Sequence, residues 1–310
     1  MKIRRPWLDY LVYLMARSVA LFLGLFPVNA NLRTARMLGG ALWAVDRKHQ
    51  KRAYENLRAS FPDWTDDQIK ATAKRSFQHF LELVIDVLFS TRLVHVYNWH
   101  QYVKLGTLSD PLRWQLQQRG CIMLTGHYGN WEILGYTLAT LGFESYAVAR
   151  PIDNPYVNEW IMGVRQKRGQ TILSKRGVTE SAQDVLAQRG VLGFIADQNA
   201  GPKGMFVPFF GRQASTYKSI ALLAIEHKVP VIIGCARRID GKFEFDIEVS
   251  DIITPEEWQH EANEVRYITA RYTAAIEKFV RHDPTQYLWI HRRWKSRPRN
   301  EVPGSVAGVG

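Results

Sequence analysis

Beyond residue 110 the sequence alternates between short apolar runs and longer amphipathic stretches, and no other feature limits the fold as strongly. The runs at 121–126 (CIMLTG), 145–150 (SYAVAR), 170–174 (QTILS), 191–197 (VLGFIAD) and 229–236 (VPVIIGCA) have the length and apolar content of buried strands. Amphipathic stretches lie between and after them, near 131–141, 155–168, 178–189, 217–228 and 256–281. A strand apolar on both faces needs helices over both faces, so the pattern predicts an α/β fold with a mostly parallel central sheet flanked by helices. Segment 243–250 (FEFDIEVS) has a period of two and is predicted to be an outer strand. Residues 31–104 read as helices alone. Thr65, Asp66 and Asp67 open one with capping chemistry, and Phe77, Phe80, Leu81, Val84, Val87 and Leu88 continue it at three- and four-residue spacing.

Charge is uneven along the 310 residues. The excess of 41 Lys and Arg over 29 Asp and Glu sits at the two ends, with 11 basic and 3 acidic residues in 1–60 and 6 against 1 in 281–299. A domain gripping a phosphate backbone would be basic across its body, so nucleic acid is excluded as a partner and a membrane surface is the better match. Residues 10–26 (YLVYLMARSVALFLGLF) are apolar but short for a span, and Arg17 interrupts them. Three placements compete: a cleaved signal peptide ending near Val28, Asn29 and Ala30, a buried helix of the fold, and a membrane-associated helix with basic residues on both flanks. The organisation favoured is a membrane-associated helix over 1–30, a body over 31–299 (helical to 104, α/β from 105) and a flexible tail over 300–310. Cys121 and Cys235 fall within or beside apolar runs and read as buried, inert thiols.

The first strand-to-helix junction carries the most chemistry. Strand 121–125 runs into Gly126, His127, Tyr128, Gly129, Asn130, Trp131 and Glu132, after which a helix begins. The glycines permit a tight turn, Asn130 is a good N-cap, and a carboxylate in the first turn suits the helix dipole. His127 in the turn and Glu132 at the helix start can converge on a ligand at the strand end. An imidazole oriented by a carboxylate is the arrangement needed to deprotonate a hydroxyl. Two more strands end in charge, one at Arg150, followed by Asp153 and Asn154, and one at Asp197. Each has a bland reading as a turn, cap or pair. The apolar segment 204–211 (GMFVPFFG) reads as a strand ending in a turn or as a mobile pocket wall. There is no G-x-S-x-G elbow, no G-x-G-x-x-G, no P-loop and no H-E-x-x-H, so a covalent serine route, nucleotide use and zinc catalysis lose support. No cofactor or metal is expected, and direct transfer from an activated acyl donor remains.

Taken in order over roughly residues 5–298, HYGNWE (His127 to Glu132), ARPIDNP (Arg150 to Pro155), ADQN (Asp197), FVPFFG with Ala214 and Thr216, and PTQYLWIHRRWKSRP (Pro284 to Pro298) resemble the bacterial late acyltransferases of lipid A biosynthesis. The resemblance implies chemistry and a fold like those of the glycerolipid acyltransferases, at the cytoplasmic face of the inner membrane. It implies transfer of a fatty acyl chain from acyl carrier protein, or coenzyme A, to a hydroxyl of a lipid A precursor. Carried over residue by residue, it makes His127 the general base, Glu132 or Asp197 its carboxylate partner, and Arg150 the group that holds a phosphate or the oxyanion. Asn130, Asn154, Gly211, Thr216, Arg292, Arg293 and Trp294 become candidate substrate contacts, with Arg292 and Arg293 on a helix facing lipid phosphates. Other readings are acylation of a different membrane glycolipid, such as a mannosylated phosphoinositide, and non-catalytic glycolipid binding.

Overall fold

A computed structural model describes residues 5–106, 120–143, 145–149, 151–166, 169–174 and 178–298. Four helices come first: α1 (Pro6–Leu23), α2 (Val28–Val45), α3 (Arg47–Ser60) and α4 (Asp66–Leu93). Thr65 and Gln68 form a reciprocal capping box at the start of α4, as its sequence predicts. Then follow β1 (Val103–Leu105), β2 (Cys121–Thr125), α5 (Trp131–Thr140), β3 (Ser145–Ala149), α6 (Pro155–Gln166), β4 (Gln170–Ser174), α7 (Val178–Ala187) and β5 (Val191–Ile195). The chain continues through β6 (Met205–Phe209), β7 (Arg212–Thr216), α8 (Ser219–His227), β8 (Val231–Arg238), β9 (Phe245–Ile253), α9 (Pro255–Trp258) and α10 (Glu264–His282). The tail over 300–310 lies outside the described residues.

Seven strands form one sheet in the order β1-β9-β8-β2-β5-β3-β4. Every pairing is parallel except β8 with β9, so the predicted mixed α/β architecture with a mostly parallel sheet is present. The central strands are apolar on both sides, with Ile122, Leu124, Leu192, Val231 and Ile233 buried on one face and Cys121 and Ile232 on the other. Both thiols are buried as expected, and burial pushes that of Cys121 up to about 12.

Four local expectations need correction. Segment 243–250 is not outermost, because β1 pairs with β9 on its far side and is the edge. That strand also begins before the expected boundary at 104, inside a stretch read as helical. The helix expected over 256–281 is two: α9 stops at Trp258, and Asn263 starts α10 afresh by accepting a hydrogen bond from the Arg266 amide. The segment holding Arg292 and Arg293 is not a helix but a short 3-10 turn (Pro284–Gln286) followed by further turns. Segment 204–211 supplies β6 and the turn of a two-residue hairpin with β7, in which Phe210 and Gly211 both have positive φ.

Of the described helices, α1 alone is long and apolar enough to cross a membrane, and none of its residues is buried. Its Asp9 carbonyl accepts from Asn154 Nδ2, and Tyr10 and Tyr13 pack against Tyr156 and Trp160 of α6.

Candidate active site

Strand register brings His127 to Asp197. Thr125 of β2 sits opposite Ile195 of β5, and the pairing extends one bond further, with the Ala196 amide donating to the Thr125 carbonyl. His127 and Asp197 each stand two residues beyond that matched pair, so both emerge side by side from the C-terminal edge of the sheet. There His127 Nδ1 lies 2.7 Å from Asp197 Oδ1, and the His127 amide donates to Asp197 Oδ2 at 2.9 Å. Asp197 is 4% exposed, whereas the His127 side chain keeps 18%. With Nδ1–H donated to the carboxylate, Nε2 carries the lone pair; Gln198 Nε2 lies 3.2 Å from it, and the Trp131 ring packs edge-on.

Electrostatics follow the geometry. Burial opposes charging of His127, but the Asp197 carboxylate outweighs it, with help from Glu132, and the imidazole is raised above its ordinary value. Burial works against the Asp197 anion too, yet the imidazole and the amide hold its pKa down at about 2. His291 nearby goes the other way: burial lowers it to about 4, and its Nε2 accepts from the Asn199 amide.

Glu132 does not touch His127. Its carboxylate is held by the fork of Arg165 from α6, at 2.8 Å through Nε and 2.5 Å through a terminal nitrogen. Of the two carboxylates left open by the sequence, Asp197 is therefore the direct partner. An apolar cavity of about 100 Å3 opens beside the Glu132 and Arg165 pair, walled by Trp131, Leu134, Leu138, Tyr146, Val148 and Phe194.

The remaining candidates divide by burial. Arg150 lies outside the described residues. Asn130 caps α5 through the Ile133 amide and is fully buried, its Nδ2 donating to Asp86. Asn154 caps α6 through the amides of Tyr156 and Val157. Gly211 is the exposed residue of the hairpin turn. Arg293 is 1% exposed; it donates to the carbonyls of Ser215 and Gln198 and, at 2.6 Å, to the buried Thr216 hydroxyl. It thus pins the segment after Asp197 from inside the fold. Trp294 is packed between Phe209 and Arg212, whereas Arg292 is exposed.

Sequence reasoning missed a buried ionic cluster beneath the turn. His79 Nε2 donates to the Gly129 carbonyl at 3.0 Å, and Asp86 binds both Asn130 and Arg238. Glu82, fully buried, is held by Arg36 at 2.8 Å and Arg75 at 2.9 Å. His79, Glu82 and Asp86 share one face of α4 at three- and four-residue spacing, a polar stripe on a helix otherwise read only for its apolar one.

A sequence profile of the bacterial lipid A biosynthesis acyltransferases matches residues 1–296. The chain belongs to that family and is an enzyme that transfers acyl groups. It is similar to the lipid A biosynthesis lauroyltransferase of Escherichia coli K12, 24% identical over 279 residues that cover 88% of this chain and 87% of the relative. It is also similar to the palmitoleoyltransferase of the same strain, 26% identical over 85% of this chain and 86% of that one. A lipid A biosynthesis acyltransferase of Haemophilus influenzae is 24% identical over 93% of this chain and 92% of its own.

Proposed function

We propose that the chain moves a fatty acyl group from a thioester on acyl carrier protein, or on coenzyme A, to a hydroxyl of a lipid A precursor, by direct transfer without an acyl-enzyme. The observation that carries this reading is the 2.7 Å contact between His127 and Asp197 where two parallel strands end. His127 Nε2 takes the proton of the acceptor hydroxyl as its oxygen attacks the thioester carbonyl. Asp197 stabilises the imidazolium that forms. Collapse of the tetrahedral intermediate expels the thiolate, which recovers the proton from His127. Arg150 is suited by charge to the oxyanion or a phosphate. The apolar cavity beside Glu132 is suited to the acyl chain, and the sheet-edge base gives the chemistry of a glycerolipid acyltransferase.

The reaction is placed at the cytoplasmic face of the inner membrane. Apolar side chains stand exposed along α1 (Trp7, Leu11, Met15, Phe22) and on α2 (Met37, Leu38, Val45), a surface that suits lipid rather than water. Replacing His127 with Ala is expected to lower turnover on the order of 10²–10⁴ with folding and membrane retention intact. Near-normal transfer by that variant at saturating substrate would end the general-base reading.

A further inference from the structure

Two adjoining cavities run along one side of α1, away from the acid–base pair. The first, about 610 Å3, lies between α1 and α6 near the end of α4 and is lined by Tyr10, Tyr13, Arg17, Tyr156, Glu159 and Trp160. The second, about 360 Å3, shares Thr91, Trp160 and Val164 with the first and continues past Ala20, Leu21, Leu25, Leu88 and Phe89, with Arg92 also on its wall, donating to the Gly24 carbonyl at 2.6 Å. One end of the groove is thus aromatic with an unpaired cation, and the other is mainly apolar, its one cation engaged by a backbone carbonyl.

Arg17 marks the charged end. Its guanidinium carbon is 5.1 Å from the centre of the Trp160 ring and 5.9 Å from that of Tyr13. Such contacts use the flat face of the guanidinium and leave its N–H edge free. Among the described residues no carboxylate lies within ion-pair distance of Arg17. A cation halfway along an exposed, apolar helix is costly beside lipid unless something pairs with it. Glu159 borders the same cleft, also without a cationic partner among the described residues.

We propose that this groove holds the acceptor, a phosphate-bearing glycolipid. Its phosphate meets the N–H edge of Arg17, its sugar faces lie on the tyrosine and Trp160 rings, and Glu159 accepts from sugar hydroxyls. Its acyl chains follow Ala20, Leu21 and Leu88. A planar fork of donors suits phosphate oxygens, and the order of charged and apolar ends is that of a lipid entering from the membrane side. Between the groove and the chemistry stands α6, which offers Trp160 and Val164 to the one and Arg165 to Glu132 on the other. The proposal rests on the glycolipid acyl-transfer reading given above.

The test uses full-length protein in mixed micelles with a phosphorylated lipid A precursor and its dephosphorylated form. In an His127→Ala background, which removes turnover, Arg17→Gln should weaken binding of the phosphorylated precursor roughly tenfold or more, leave the dephosphorylated form unaffected, and be partly rescued by Arg17→Lys. With His127 intact, Arg17→Gln should raise KM for the acceptor by a similar factor while kcat and the donor KM stay put. Equal binding by Arg17→Gln, with wild-type transfer intact, would overturn the groove and leave the activity standing. Arg17-dependent binding without any transfer by the wild type would overturn the activity and leave the groove. Loss of retention on phosphatidylglycerol vesicles with an unchanged acceptor KM would overturn the proposal by making ordinary anionic phospholipid the occupant.

Discussion

Asp197 accepts two hydrogen bonds from one residue, the amide and the Nδ1–H of His127, and this doubling fixes both the place of the imidazole and its tautomer. Asp197→Asn should therefore lower turnover on the order of 10²–10⁴, because an amide can donate to Nδ1 and stabilise the wrong tautomer. Glu132→Gln should cost less, since it loosens Arg165 without touching the ring. Comparing kcat for the two variants decides which carboxylate supports the base; a Glu132→Gln enzyme slower than Asp197→Asn would reverse the assignment. The sign of the pH dependence follows. A protonated imidazole cannot accept the hydroxyl proton, and Asp197 raises the His127 pKa, so the acid limb of kcat/KM should lie above the ordinary imidazole value of about 6.5. In Asp197→Asn the limb should move to lower pH. His127 and both carboxylates were legible as candidates in the sequence. Their pairing was not, because it depends on the register of β2 against β5, two strands separated by 65 residues of chain whose apolar patterns fit several registers. Arg165 was equally invisible, as it reaches Glu132 only through the way α6 packs.

At the scale of elements, the turn between β2 and α5 is over-determined. Gly129 has a φ of +57°, and a Cβ there would stand 2.2 Å from the Ala236 carbonyl oxygen. Strain and clash together should make Gly129→Ala destabilising by about 2 kcal/mol or more, read from denaturant unfolding. Beneath the turn, Asp86 and Arg238 are both buried, so removing one partner strands a charge: Asp86→Ala should cost about 3–5 kcal/mol, whereas a well-packed apolar replacement of the pair should cost much less. Equal losses in the two variants would show that packing, not charge, is what matters there. The strands were read closely because their apolar runs are short and sharply bounded. The break between α9 and α10 was missed because 259–263 contains neither Gly nor Pro, and Asn263 reads as a surface residue until its amide partner is seen. The basic segment 292–297 resembled a helix face by composition, yet Arg293 is drawn inward by the Gln198 and Ser215 carbonyls and the Thr216 hydroxyl, two separate stretches that only the tertiary fold assembles.

Across the whole molecule, the basic N-terminal stretch over 1–60 is not one patch. Arg36 is bound to Glu82 and the Gly241 carbonyl, and Arg52 to the Ile290 carbonyl, whereas Arg33, Lys48 and Lys51 are exposed. Replacing only Arg33, Lys48 and Lys51 with Gln should ease release from membranes at raised salt without altering kcat. The same change at Arg36 should instead destabilise the fold, and sedimentation with membranes set beside thermal unfolding separates the two. Full-length protein that is soluble and active without detergent would refute attachment through α1.

The segment 286–291 crosses back over the turn that carries His127. Its Leu288 amide donates to the His127 carbonyl, the Gln286 carbonyl accepts from Gly129, and Asn56 of α3 holds it from behind through the carbonyls of Trp289 and His291. During synthesis this segment leaves the ribosome after every helix and strand it bridges, while α1 emerges first. On the proposed reading, in which α1 meets the bilayer and His127 is the base, attachment therefore precedes competence: the nascent chain can reach the membrane long before its histidine has a roof.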